Sequence, residues 1–177
     1  IKFIKFIKFI KFIKFIKFIK FVKFIKFIKF VKFVKYIKKK KDYNTGMKII
    51  NKELLDEITR QAKESPRLRM NYNLHDNLDA KAQKLLNALE PGTILPIHRH
   101  PNTTETYLLL RGKLNVILYN DKKEVLETMH LDTANGNYGL DIPAGQWHSI
   151  EVLESGTVIL EVKDGPYIPF QPEDILQ

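Results

Sequence analysis

The sequence predicts a mainly β domain, a sandwich or barrel of short strands, entered through one helix. Three observations predict it. Beyond Pro91, apolar and polar residues recur in short segments with turn residues between them. Those segments follow one another about every ten residues, the rhythm of a two-sheet or barrel architecture. Ahead of them, "NKELLDEITRQAKESP" carries Leu54, Leu55, Ile58 and Ala62 on one helical side.

In that helix Asn51 is placed to cap the start, and Pro66 follows the end. "DAKAQKLLNALEPG" is ambiguous, because its propensities favour a helix. The strand segments are "ETYLLLRG", "KLNVILYNDKKEVLETMHL", "YGLDIPAGQWHSIEVL" and "TVILEVKDGP". Asn120-Asp121 and Ala144-Gly145 stand where hairpins would turn.

Residues 1–46 are of another kind. IKF or VKF triplets run from Ile1 to Phe33 and decay into Lys38 to Lys41. Each triplet advances an α-helix by about 300°, so the lysines spiral round every side. On a strand they alternate between faces and leave neither clean. No apolar run exceeds two residues, which excludes a transmembrane helix and the hydrophobic stretch of a signal peptide. Lysine with aromatic residues can bind a membrane surface or an anionic polymer. The repeat reads more simply as a tandem low-complexity sequence ahead of a true start at Met47, outside the fold.

The formal charge of +10 belongs to that arm, which holds 16 lysines and one acid, Asp42. Residues 47–177 hold 14 of the 30 basic and 19 of the 20 acidic residues, a net of −5, which speaks against a nucleic-acid partner. Cysteine is absent, which excludes disulfides and thiolate metal sites and suits the cytoplasm.

"GTILPIHRHPNTTETYLLLRG" carries the chemistry. His98 and His100 alternate, so on a strand they share a face. Pro101 breaks the strand, and a short turn would return Glu105 beside them. In "PAGQWHSIEV", His148 follows a Pro-x-Gly turn into another strand. Three imidazoles and a carboxylate with open positions suit divalent Fe, Mn, Ni, Cu or Zn, and not Mg or Ca. Glu105 could instead orient a histidine, or pair with Arg99 or Arg111.

This pattern resembles the cupin superfamily, whose first motif is G-x5-H-x-H-x3,4-E-x6-G. Gly92, His98, His100, Glu105 and Gly112 fill it completely. The second motif, G-x5-P-x-G-x2-H-x3-N, is met at Pro143, Gly145 and His148. Gly136 lies one residue too far upstream, and Val152 stands where Asn is expected. Further, "SPRLRMNYNLHDNLDAKAQKLLNALEPG", "HRHP", "IPAGQWH" and "LEVKDGPY" are similar to the WbuC family of cupin-fold metalloproteins, over Met47 to Tyr167. The resemblance implies a single-domain cupin, a double-stranded β-helix or jelly-roll-like barrel, over residues 47–177 with the barrel at about 76–165. It implies that "AQKLLNALEPG" is a strand, that His98, His100, Glu105 and His148 are the metal ligands, and that the protein is a cytoplasmic homodimer. It also implies a setting in bacterial surface-polysaccharide (O-antigen) biosynthesis.

Ahead of the barrel, Arg67, Arg69, Asn73 and His75 could grip a phosphate or carboxylate over its mouth, or belong to a solvated loop. Tyr107 is a candidate beside a sugar-like ligand, although packing in the barrel wall is the simpler role for it and for Trp147. His130 reads as an exposed strand residue. Three functions remain open: a metal-dependent isomerase or epimerase using the metal as Lewis acid, an Fe(II) oxygenase of a chelating substrate, and a non-catalytic binding barrel. A metal-free barrel using its histidines as acid and base is a further possibility. No residue is singled out as catalytic.

Overall fold

A computed structural model describes Ile25, Ile28, Lys29 and residues 46–176. The chain divides into two compact units, Ile1–Met47 and Lys48–Gln177. In the first, Ile25, Ile28 and Lys29 are helical and exposed; the remaining expectations for the repeat arm, and for its start, lie outside the described residues. Among the described residues no helix is long and apolar enough to cross a membrane.

The second unit opens with α1, Lys52–Glu64, as the apolar spacing predicts. Asn51 caps it, its side-chain oxygen accepting from Leu54 N at 3.0 Å. Glu53 in the first turn and Lys63 in the last complement the helix dipole. Eight strands follow: β1 (Arg69–Asn73), β2 (Ala82–Leu89), β3 (Glu105–Arg111), β4 (Lys113–Tyr119), β5 (Val125–Asp132), β6 (Gly139–Ile142), β7 (Trp147–Val152) and β8 (Thr157–Asp164). They form a five-stranded sheet in the order β1-β2-β8-β3-β6 and a three-stranded sheet in the order β5-β4-β7, with every pairing antiparallel. This is the mainly β, jelly-roll-like barrel that the sequence predicts.

The strand alternation sorts side chains between two cores. Leu86, Ala88 and Val158 pack outward against Ile58 and Ala62 of α1. Leu89, Leu109, Leu114, Val116 and Ile159 fill the interior. That double burial explains why β2 overrides its helical propensity. Leu86 and Ala88 meet the helix while Leu89 meets the barrel, and β1 and β8 flank the strand with ladder hydrogen bonds.

Arg67–His75, which the sequence leaves open as a loop, forms β1 at its centre. Met70, Tyr72 and Leu74 pack toward the helix core, so Arg69 and Asn71 fall on the opposite, interior side. The β4–β5 hairpin is wider than Asn120-Asp121 alone. Asn120 N donates to Glu124 O at 3.0 Å, and Lys123 adopts a left-handed φ of 63°. At Ala144-Gly145 the turn forms as predicted, with Gln146 N donating to Pro143 O at 3.2 Å. Gly112, the last residue of the first motif, turns β3 into β4 at φ 83°; a Cβ there would run into Thr157.

Candidate metal centre

Two neighbouring stretches and a third far along the chain carry the predicted ligands. Residues 98–100 do not form a regular strand; His98 makes an isolated bridge to His148, donating N–H to its carbonyl at 3.0 Å and accepting from its amide at 2.9 Å. The His100 carbonyl accepts from Gly145 N at 2.8 Å, so the Pro-x-Gly turn holds the second histidine in place. Glu105 starts β3, and His148 is the second residue of β7.

His98, His100 and Glu105 offer ligand atoms that all lie within 4.8 Å of one another, a group that could hold a metal ion. His148 stands outside that mutual group. It joins through Glu105, its Nε2 lying 3.1 Å from Oε2.

The hydrogen bonds show that the donor set fits a metal. The Nδ1 of His98 donates to Pro96 O, and the Nδ1 of His148 to Gln146 O, each at 3.0 Å. With Nδ1 committed in this way, Nε2 is the nitrogen that each ring turns toward the cluster. Burial, then the neighbouring His148, holds His98 down to about 3, so its imidazole is uncharged at neutral pH. The Nε2 of His148 faces a carboxylate oxygen that is also an acceptor, and two acceptors 3.1 Å apart need a proton or a metal ion to join them. Zinc-type ions hold such ligands at about 2.0–2.2 Å, which places ligand atoms about 3–4 Å apart, a modest contraction of the observed cluster.

Around this set lies a buried polar network. Tyr107 OH donates to Glu105 Oε2 at 2.8 Å, and burial followed by the Glu105 charge pushes its phenol well up, so the proton stays available. Lys163 Nζ reaches Glu105 Oε1 at 3.1 Å, Glu161 Oε1 at 2.7 Å and His100 Nε2 at 3.4 Å. Burial alone would push Glu105 up; its bonds with His100 and His148 and the Lys163 charge outweigh it and hold the carboxyl well below the usual range. Glu161 goes the other way, to about 8, through burial and the Glu105 charge. The alternative pairings of Glu105 do not form: Arg99 meets Asp174 and Arg111 meets Asp56.

Beside the cluster lies a cavity of about 180 Å³, lined in part by Arg67, Arg69, His98, His100 and Glu105. Tyr107 also lines it, with its hydroxyl turned to Glu105. Asn73 and His75 are not brought there. They line an adjoining cavity of about 320 Å³, to which Glu161 and Lys163 also contribute. His75 is buried, its Nδ1 accepting from Lys84 N at 3.0 Å, while Asn73 accepts from Asn71 Nδ2 at 3.2 Å. Trp147 packs under the Arg99 guanidinium at 4.4 Å and donates to Asp121, away from the cluster. His130 is exposed on β5.

A family model described as a domain of unknown function (DUF6016) matches residues 50–131. None of the curated proteins matches the chain. Among solved structures, KdgF from Halomonas sp. is 14% identical with a TM-score of 0.45, over 56% of this chain and 82% of that one. A cupin superfamily protein from Desulfitobacterium hafniense is 17% identical with a TM-score of 0.43, over 54% of this chain and 76% of that one. Oxalate decarboxylase from Bacillus subtilis is 20% identical with a TM-score of 0.44, over 62% of this chain and 27% of that one. The fold is a jelly-roll-like barrel.

Within the barrel, sequence reasoning missed four residues. Glu161 and Lys163 stand two apart in "TVILEVKDG", so both point inward from β8, and charges at alternate positions of an apolar strand were the available signal. Asn87, on β2, donates to Glu161. The fourth is Phe170, whose ring lies 4.7 Å from that of His98 and 5.2 Å from that of His100, centroid to centroid. It belongs to the segment after β8, which returns to pair Ile175 with His98, and no periodicity announces it.

Proposed function

We propose that this cupin binds one divalent transition metal (Fe, Mn, Ni, Cu or Zn) through His98, His100, Glu105 and His148. Its substrate is a small sugar-linked acid of bacterial surface-polysaccharide (O-antigen) biosynthesis. The observation that carries the reading is the shared cavity: Arg67 and Arg69, which have no carboxylate partner among the described residues, line the same space as His98, His100 and Glu105. Paired guanidinium groups free of an internal acid are suited to a carboxylate or phosphate.

Bound there, the metal would supply Lewis acidity to adjacent carbonyl and hydroxyl oxygens of the substrate. Arg67 and Arg69 bind the anionic end and orient the molecule. Leu89, Leu95 and Ile159 keep water from the cavity wall. Tyr107 fixes Glu105 through its hydroxyl. A volume of about 180 Å³ corresponds to about six waters and falls below the ~300 Å³ where drug-sized pockets begin. A single sugar acid suits that space; the nucleotide of a nucleotide sugar would lie outside it. The WbuC resemblance supports the polysaccharide setting, and with it a cytoplasmic homodimer.

The test is metal content by inductively coupled plasma mass spectrometry on the full chain and on His98→Ala, followed by calorimetric titration with glucuronate. Near-stoichiometric transition metal, lost in the variant, with glucuronate binding that needs the metal, is the expected result. A folded protein that cannot be loaded with any of the five metals overturns the reading.

A further inference from the structure

We infer that Lys163 is an internal substitute for the metal, holding the ligand set together when no ion is bound and thereby setting how tightly one is taken up. The inference rests on the metal reading above. Its ground is the arrangement of one ammonium group. Lys163 Nζ has three protons and three acceptors in reach: Glu161 Oε1, Glu105 Oε1 and His100 Nε2. Two of the three are candidate ligand atoms. The one lone pair of His100 Nε2 that accepts from an ammonium is not free for a cation, so the lysine and a metal compete for it; at Glu105 a metal would have to share the carboxylate with the ammonium on Oε1.

The backbone holds Lys163 where this competition is unavoidable. On β8 it pairs directly with Glu105 of β3 on one side and with Gln83 of β2 on the other, so the strand cannot withdraw. Its side chain is only 14% exposed, so the ammonium is held largely inside the site. Glu161 is where it goes instead. That carboxyl lies on the same strand face two residues back and makes the shortest of the three bonds; it is not a member of the ligand group, and Asn87 steadies it from β2. On metal uptake Lys163 gives up Glu105 and His100 and keeps Glu161. Like charges then stand close together in a buried site, which limits affinity. Without the lysine, Glu105 is a buried carboxylate with no compensating cation, so metal-free protein is destabilised and the site takes a metal more tightly.

The experiment titrates full-length wild type, Lys163→Met and Lys163→Arg with zinc(II) against a chromophoric chelator. Cobalt(II) absorption reports the ligand field, and thermal melting is followed with and without metal. The expected result is a zinc Kd at least tenfold lower for Lys163→Met, with a lower metal-free melting temperature, and a near wild-type Kd for Lys163→Arg, which keeps the charge. If the methionine variant does not fold, Lys163→Gln carries the same expectation. Wild type that binds zinc while the neutral variants bind it equally or more weakly overturns the inference and leaves the metal reading standing, since Lys163 would then be orienting Glu105. Wild type and variants that all fail to bind zinc and cobalt, although folded, overturn both.

Discussion

The two faces of the five-stranded sheet use the same strands for opposite ends. On β8, Val158 and Leu160 point outward to the helix core, while Ile159 lines the interior with Glu161 and Lys163. On β2, Leu86 and Ala88 face the helix while Asn87 and Leu89 face the cavity. The outer face is dry and aliphatic at its centre, and burial alone stabilises it. The inner face brings two carboxyls, a lysine and a phenol against the imidazoles of His98, His100 and His148, which come from outside that sheet, in one buried space where each group depends on its neighbours for charge or a proton. The outer face therefore sets how stable the barrel is. The inner face sets what it can bind.

Substitutions can break that division. The largest effect should come from the outer face: Leu86→Ala, at a fully buried position, is expected to cost about 3 kcal/mol in urea unfolding while leaving metal stoichiometry unchanged. Loss of metal binding in that variant would mean that the faces are coupled.

Acid sharpens the comparison next. The pKa of His98 is about 3 when folded and near 6.5 when unfolded, so the unfolded chain binds more protons throughout that window. Stability of the metal-free protein should fall as pH drops from about 6.5 toward 3, by a few kcal/mol. Glu105, also lowered on folding, adds the same sign below its unfolded value of 4.5. Melting curves of His98→Asn should lose the part of this limb above about pH 4.5, and an unchanged limb would show that His98 is not its source.

Arg67→Ala and Arg69→Ala should each weaken glucuronate binding about tenfold, in keeping with the ~1.5 kcal/mol of a hydrogen bond to a charged group, without moving the melting temperature by more than a few degrees. Equal affinity in both would remove the arginines from the ligand site. The smallest effect belongs to Asn51→Ala, where loss of the helix cap should cost about 1 kcal/mol and leave both metal and ligand binding intact.

Much of this was legible in the sequence, for reasons that differ by region. The helix declared itself through a cap and a 3.6-residue stripe, and the hairpins through turn residues. The cluster of His98, His100 and Glu105 was legible because metal chemistry favours those residue types at that spacing. Strand β1 was less so, although Met70, Tyr72 and Leu74 alternate cleanly with Arg69, Asn71 and Asn73; the polar partners resembled a solvated loop because the cavity they face is formed by distant strands. In β2 local propensity pointed to a helix, and only burial on both sides decides for the strand. The Lys163–Glu105 bond was out of reach, since it depends on the register of β8 against β3 and sequence alternation gives only the face.

Phe170 follows His98 by 72 residues and yet packs on its ring. During synthesis His98, His100 and Glu105 therefore leave the ribosome well before the segment that covers them. For that interval they lack their aromatic roof and the bridge from Ile175, and until β8 takes its place between β2 and β3 the sheet behind them is itself unfinished. The cluster that comes early in the chain is thus enclosed by its last residues, and a chain cut short before Phe170 would keep the donor atoms while losing the walls that bury them.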